Sequence, residues 1–293
     1  MSETILVAGN EVGQRKVQMT ARNEPAPYVT AKDGARLFVQ DWGRGRPILF
    51  VAAWALSSDF WASAALAMQR RGFRSVAFDR RGHGRSDAPS HGYDADTLAG
   101  DLAAVIETRD LDDVVLVTHS MGAGEAVRYL SRHGAARIAK LVLVAPTTPY
   151  LVRTEDNPEG VPLEALNAPL AEIARDYPKW VGDNEAPFFT PETEPETRAW
   201  IKAMMLSVPA PIAVAFREEA GRTDYRGDLA KIDIPTMILH GDRDASAPLP
   251  LTGERTARAI RGATLVVYEG APHALPLTHR DRFIEDLAGF AAR

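Results

Sequence analysis

The sequence predicts an α/β fold: a mostly parallel central sheet flanked by helices, with a helical cap inserted after the sixth strand. Three observations predict it. Short apolar runs recur along the chain, and the later ones are continuous rather than alternating: V-V-L-V at 114–117, L-V-L-V at 141–144 and M-I-L-H at 237–240. Continuous runs of this length suit strands buried on both faces. Helical patterns alternate with these runs, which is the order that builds a parallel sheet covered on both sides. Between about 149 and 228 the alternation stops, and the stretch is helical in pattern, proline-rich and acidic.

Taken in order, residues 1–26 read as a polar, non-periodic N-terminal arm, or alternatively as an oligomerisation arm of a homo-oligomer. Strands are expected at Tyr28–Ala31 and Arg36–Asp41, joined as a hairpin through Lys32-Asp33-Gly34-Ala35. Further strands are expected at Pro47–Ala52, Arg74–Asp79, Asp113–Thr118, Lys140–Ala145, Pro235–His240 and Thr264–Glu269. Helices are expected at Ser58–Arg71, Ala95–Thr108, Met121–His133, Leu251–Ile260 and Arg280–Ala291, with Gly72 and Gly134 as C-terminal stops of two of them. The core is thus assigned to 27–148 and 228–293 and the helical cap to 149–227. The cap carries Tyr177, Trp180, Phe188, Phe189 and Trp200, and residues 151–200 hold 11 Asp/Glu against 4 Lys/Arg. An acidic rim would disfavour anionic substrates.

Composition narrows the function classes. The chain has 293 residues, 45 % hydrophobic and 25 % charged, an ordinary globular balance that excludes a disordered or fibrous protein. A net charge of −5 gives no basic surplus for nucleic acid. With no cysteine, disulfides, thiol catalysis, Cys-ligated zinc and iron–sulfur clusters are excluded. The longest apolar run, Ile48–Leu56, is too short to span a bilayer, and Ile5–Ala8 behind Glu3 is no secretory leader. The expectation is a soluble, cytoplasmic protein with neither nucleic-acid nor membrane partners.

The most informative segment is Asp113–Gly124. A buried strand runs into a helix through Thr118-His119-Ser120-Met121-Gly122, a small-x-Ser-x-Gly elbow of the kind found in α/β-hydrolases. Such a turn lifts a serine above the sheet edge, beside a helix N-terminus that favours developing negative charge. Gly122 and Gly124 are expected to let the helix pack close to neighbouring strands. A dinucleotide loop is disfavoured because Val127 stands where the third glycine belongs. A serine nucleophile needs a base and the base an orienting acid. Loops after the later strands offer them: Gly241-Asp242-Arg243-Asp244 and Glu269-Gly270-Ala271-Pro272-His273.

From about Tyr28 to Arg293 the chain resembles the cofactor-free haloperoxidase and aryl-esterase branch of the α/β-hydrolases. The matching segments are F-D-R-R-G-H-G-R-S-D at 78–87, the elbow, E-A-V-R-Y-L at 125–130, T-E-D-N-P-E-G at 154–160 and Y-E-G-A-P-H at 268–273. The resemblance implies Ser120 as nucleophile, Asp244 as triad acid with Asp242 as a turn residue, and His273 as base. It also implies the backbone N–H groups of Met121 and Trp54 as oxyanion donors. The chain departs from the pattern at Ala52-Ala53, where His-Gly is usual, at Thr118, where a glycine is usual, and at Ala55, where perhydrolase-like members often carry proline. His83 is read as part of a structural turn, His119 as packing or a hydrogen-bonded neighbour of the nucleophile, and His240 as a strand end. His91, His133 and His279 are read as surface or helix-end residues. No histidine pair has metal-ligand spacing, and Asp242 and Asp244 lack the further ligands of a calcium loop, so no metal and no cofactor are expected.

The resulting expectation is a serine esterase or lactonase acting through an acyl-enzyme on a small, apolar or aromatic substrate. Trp54, Phe188 and Phe189 are the expected substrate contacts. The alternatives are an amide or lactam hydrolase, a perhydrolase, and a ligand-binding protein with weak hydrolysis.

Overall fold

A computed structural model describes residues 26–293, so the N-terminal arm lies, but for Ala26, outside the described residues. Eight strands form one sheet: β1 (Tyr28–Thr30), β2 (Arg36–Trp42), β3 (Pro47–Val51), β4 (Arg74–Phe78), β5 (Val114–His119), β6 (Ile138–Val144), β7 (Thr236–Gly241) and β8 (Thr264–Tyr268). The spatial order is β1-β2-β4-β3-β5-β6-β7-β8. The pairs β1–β2 and β2–β4 are antiparallel, and every pair from β4 to β8 is parallel. The architecture is the α/β-hydrolase fold that the alternation predicts.

The helices are α1 (Ala62–Arg70, preceded by a 3-10 turn at Ser58–Trp61), α2 (Ala95–Thr108) and α3 (Gly122–His133). Between β6 and β7 come α4 (Leu163–Arg175), α5 (Tyr177–Asp183), α6 (Pro195–Ser207), α7 (Ala210–Arg222) and α8 (Arg226–Leu229). The chain closes with α9 (Gly253–Ala259), α10 (Leu275–Thr278) and α11 (Arg280–Ala292). Helix α2 begins where Asp94 caps it, its carboxylate accepting the Thr97 N–H at 2.9 Å. The helix expected over Ser58–Arg71 is split, because its first turn takes 3-10 geometry, and α10 was not read from the pattern at all. At four residues, two of them Pro276 and Thr278, it is too short to show periodicity.

Alternate strand residues feed opposite faces of the sheet. Ile48, Phe50, Val115 and Val117 join Trp61, Met68, Phe283 and Leu287 on one side. Leu49, Val51, Leu116 and Leu143 join Leu102, Ile106 and Val127 on the other. Burial on both faces is the physical reason the strands read as unbroken apolar runs. Among the described residues no single helix is long and apolar enough to cross a membrane.

Candidate active site

Winding changes direction at β3, which has β4 on one side and β5 on the other. Open α/β sheets bind ligands outside the carboxyl ends of strands at such a point. The loops leaving β3 and β5 meet here. Ser120 follows β5 with φ +56°, in the left-handed region that non-glycine residues seldom occupy. Its N–H donates to the Val144 carbonyl at 2.9 Å, and α3 starts two residues later. A Cβ on Gly122 would lie 2.8 Å from the Ala52 carbonyl oxygen, so glycine there lets the start of α3 press against the end of β3. Gly124 does not share that purpose: it faces the Tyr225 ring rather than a strand.

The structure draws Ser120, His273 and Asp244 into one hydrogen-bonded line. Ser120 Oγ is 2.9 Å from His273 Nε2, and His273 Nδ1 is 2.7 Å from Asp244 Oδ2. The carboxylate selects the tautomer with the proton on Nδ1, which leaves the Nε2 lone pair to accept from the serine hydroxyl. Asp244 Oδ1 accepts the Ser246 and Ala247 N–H groups at 2.9 and 2.8 Å. His240, at the end of β7, donates to the Ala247 carbonyl at 2.8 Å and lies 3.3 Å from Asp244 Oδ2. Burial alone would raise the Asp244 pKa, but the electrostatic pull of His273 and the hydrogen bonds from His240 and His273 outweigh it and hold the carboxyl well below its usual range. Asp242 instead accepts the exposed Gly270 N–H at 2.7 Å, away from this line.

Two further histidines support the line without joining it. His119 Nε2 donates to the His273 carbonyl at 3.0 Å, and its ring stacks on Phe60. His83 donates from Nδ1 to the Arg81 carbonyl at 3.0 Å and accepts the Ala55 N–H on Nε2 at 3.2 Å. Burial lowers both to about 3, so both are neutral. From the unfolded value of 6.5 downward, the unfolded chain takes up protons these two cannot. Each therefore removes about 1.4 kcal/mol of stability per pH unit as the pH falls toward 3. Glu125 acts oppositely between 4.5 and 7, because burial pushes it up to about 7 against the pull of Arg80. The expected result is that His119→Gln flattens the stability–pH curve between pH 6.5 and 5 by about 1 kcal/mol per unit. Urea unfolding at several pH values measures it, and parallel curves for the two proteins would refute the assignment.

The loop after β3 carries the other expected donor. Among the described residues neither the Trp54 nor the Met121 N–H has a protein acceptor. Ala53 keeps a negative φ, while Ala55 takes φ +57°. Ala53 thus needs no freedom of φ in place of the usual glycine, and the left-handed residue is Ala55, a position where proline, locked near −65°, does not fit this loop. What holds the loop is Arg80, fully enclosed, which donates to the Ala52 carbonyl at 2.7 Å and the Ala53 carbonyl at 3.2 Å and pairs with buried Glu125 of α3. In a trans peptide the N–H opposes the C=O. With the Ala53 carbonyl aimed at Arg80, the Trp54 N–H faces the opposite way. Arg80 and Glu125 escaped the sequence reading, although both lie in segments quoted above. Glu125 was the legible signal, a lone acid among small and apolar residues in the first turn of a buried helix. Thr118 is also enclosed, and its hydroxyl finds no hydrogen-bond partner among the described residues.

A cavity of about 310 Å³ opens over these groups. Ser120, His273, Ala53, Trp54 and Met121 line it from the sheet edge, and residues of α4, α5 and α7 line it from above. Of the three expected substrate contacts, Trp54 and Phe188 line it. Phe189 does not: it points into the core beside Ile201, with Arg198 over its ring, because the extended backbone after the 3-10 turn at Ala186–Phe188 sends successive side chains to opposite sides. Arg217 of α7 lines the cavity too, and no sequence pattern singled it out.

Fold and site together define a member of a large hydrolase class, and comparison with known proteins bears this out. Residues 46–280 match the family model described as alpha/beta hydrolase fold, and the chain belongs to that family. It is 40 % identical to a non-heme haloperoxidase from Rhodococcus erythropolis, covering 90 % of this chain and 98 % of the relative. Among solved structures it is similar to an esterase from Exiguobacterium antarcticum, with a TM-score of 0.88 and 28 % identity over 91 % of this chain and 99 % of that one. It is likewise similar to a bromoperoxidase from Bacillus anthracis, with a TM-score of 0.87 and 31 % identity over 91 % and 100 % of the two chains.

Proposed function

We propose that this protein is a serine hydrolase of carboxylic esters or lactones, with residues 149–227 forming a cap over the reaction centre. One observation carries the reading: the Ser120–His273–Asp244 line at the base of a cavity, beside two N–H groups without acceptors. Ser120 Oγ attacks the ester carbonyl carbon while its proton passes to His273 Nε2. Asp244 orients the ring and stabilises the imidazolium. The carbonyl oxygen becomes an oxyanion held by the Trp54 and Met121 N–H groups. His273 returns the proton to the departing alcohol, or to the ring oxygen of a lactone. Water, deprotonated by His273, then splits the acyl-serine and restores the hydroxyl.

Reaction with a fluorophosphonate probe at Ser120, together with a panel of p-nitrophenyl esters and lactones, tests this. Asp244→Asn is expected to lower kcat by about 10⁴ through the wrong tautomer. An unlabelled Ser120 in folded protein would point instead to a ligand-binding role. A second reading, perhydrolysis, is favoured by the haloperoxidase relative. In that case hydrogen peroxide replaces water in the second half-reaction and releases a peracid. Halide oxidation in acetate with peroxide reads it, and Ala55 in place of proline favours simple hydrolysis.

A further inference from the structure

The cavity holds an unpaired cation. Arg217 projects from α7 into it, with its guanidinium carbon 5.1 Å from the Trp54 ring centroid and 5.4 Å from that of Trp180. The two indoles meet edge to face at 5.5 Å. Among the described residues no carboxylate lies within ion-pair distance of Arg217. Its neighbour Glu218 is held by Arg222 at 2.8 Å, and Arg222 also donates to Asn167 at 3.0 Å. The buried arginines elsewhere have partners: Arg80 pairs with Glu125, Arg81 with Asp101 and Asp33, and Arg109 donates to the Ala26 carbonyl at 2.6 Å, whereas half-buried Arg217 has neither an acid nor a carbonyl among the described residues. Among the described residues, Arg217, Glu218 and Arg222 are the charged side chains of the cavity wall, so the wall carries a net positive charge.

A cation drawn out of water without a counter-ion is disfavoured unless an anion completes it. Desolvation accordingly lowers Arg217 to about 10, which still leaves it charged at neutral pH. Cation–π contact with two tryptophans compensates in part and holds the guanidinium plane in place. Its donors then remain for a ligand, and a planar fork of donors matches a carboxylate.

We propose that the substrate is an ester or lactone that itself carries a carboxylate, such as a half-ester of a small dicarboxylic acid. Arg217 binds the free carboxylate while Ser120 attacks the ester carbonyl. The proposal rests on the serine-hydrolase reading and names its substrate class. It reverses the expectation, drawn from the acidic stretch 151–200, that anions are disfavoured: none of those acids lines the cavity, whose one acid, Glu218 of α7, is held by Arg222. At about 310 Å³ the cavity is at the small end for ligand sites, consistent with a short substrate.

The test compares monomethyl and dimethyl esters of linear four- to eight-carbon diacids, which differ only in charge and a methyl group. Methanol release is followed at pH 7.5 for the native protein, Arg217→Lys and Arg217→Gln, with p-nitrophenyl acetate in parallel. After the twofold statistical correction, the half-ester is expected to exceed the diester in kcat/KM by tenfold or more at one chain length at least. In Arg217→Gln that ratio is expected to fall about 10–100-fold, chiefly through KM, and Arg217→Lys to retain part of it. The ratio is read rather than the rate, because loosening the two tryptophans affects both substrates. A diester preferred or equal at every length, or a ratio indifferent to Arg217→Gln, overturns the proposal even if p-nitrophenyl acetate turns over. If p-nitrophenyl acetate and all methyl esters are inert, the hydrolase reading fails. Adipate binding, read by tryptophan fluorescence in the native protein and Arg217→Gln, then decides the anion site by itself. Saturable quenching lost in the variant supports it, and its absence in the native protein overturns it. Should Arg217→Gln fail to fold, the native ratio and Arg217→Lys carry the same decision.

Discussion

Replacing Ser120 by alanine is expected to lower turnover of a simple aryl ester by about 10⁴–10⁶-fold, because the nucleophile and its base act as one unit. The variant should stay folded, since only one hydrogen bond, Oγ to His273 Nε2, is lost. A stability measurement sharpens the prediction. Ser120 sits at φ +56°, which strains any side chain that is not glycine. Ser120→Gly, equally inactive, should therefore be more stable than Ser120→Ala by about 1 kcal/mol, net of the extra entropy of an unfolded glycine. Denaturation of both variants beside an ester assay checks this. Residual turnover within tenfold of the native enzyme would remove Ser120 from the mechanism.

The second large effect is expected at Arg80. Changing it to methionine leaves Glu125 as a buried, unmatched acid, deprives the Ala52 carbonyl of its donor and leaves the Ala53 carbonyl with only the Leu56 N–H at 3.3 Å. Breaking such a pair on one side destabilises by about 3–5 kcal/mol. Turnover should fall as well, by up to about 10²–10³, if the Trp54 N–H loses its aim at the oxyanion. The double variant Arg80→Met with Glu125→Leu separates the two consequences. Without a stranded charge it should recover much of the stability, yet the Ala52 carbonyl remains unheld and kcat should stay low. Recovery of kcat together with stability would show that Arg80 serves folding alone and that the loop after β3 holds itself.

The strength of this coupling explains how the chain dispenses with His-Gly at 52–53. A glycine there would supply freedom of φ, but Ala53 needs none. The peptide plane is set from behind by Arg80, and the left-handed residue is Ala55, whose N–H is taken by His83.

By itself the sequence determined the strands, their order and most of the helices of the core. Helical patterns, glycines at helix ends and unbroken apolar strands are local or nearly local features, and burial on both sheet faces writes the strands directly into residue type. The three residues of the hydrogen-bonded line were legible for the same reason. Each stands in a short loop after a recognisable strand, so strand order brings their loops to one edge, while the choice of Asp244 over Asp242 in the loop after β7 is what the resemblance implied. Tertiary structure decided what depends on direction rather than order. Phe188 faces the cavity and Phe189 the core, because neighbours in extended backbone point oppositely and the pattern does not say which way the pair is turned. Arg80 and Glu125 lie 45 residues apart and Arg217 lies in the helical insertion, so their partners, or in Arg217 the lack of one, exist only once helices are packed. A charge reads as surface in a sequence, and only the folded chain shows which charges have been enclosed and which are left without a counter-ion.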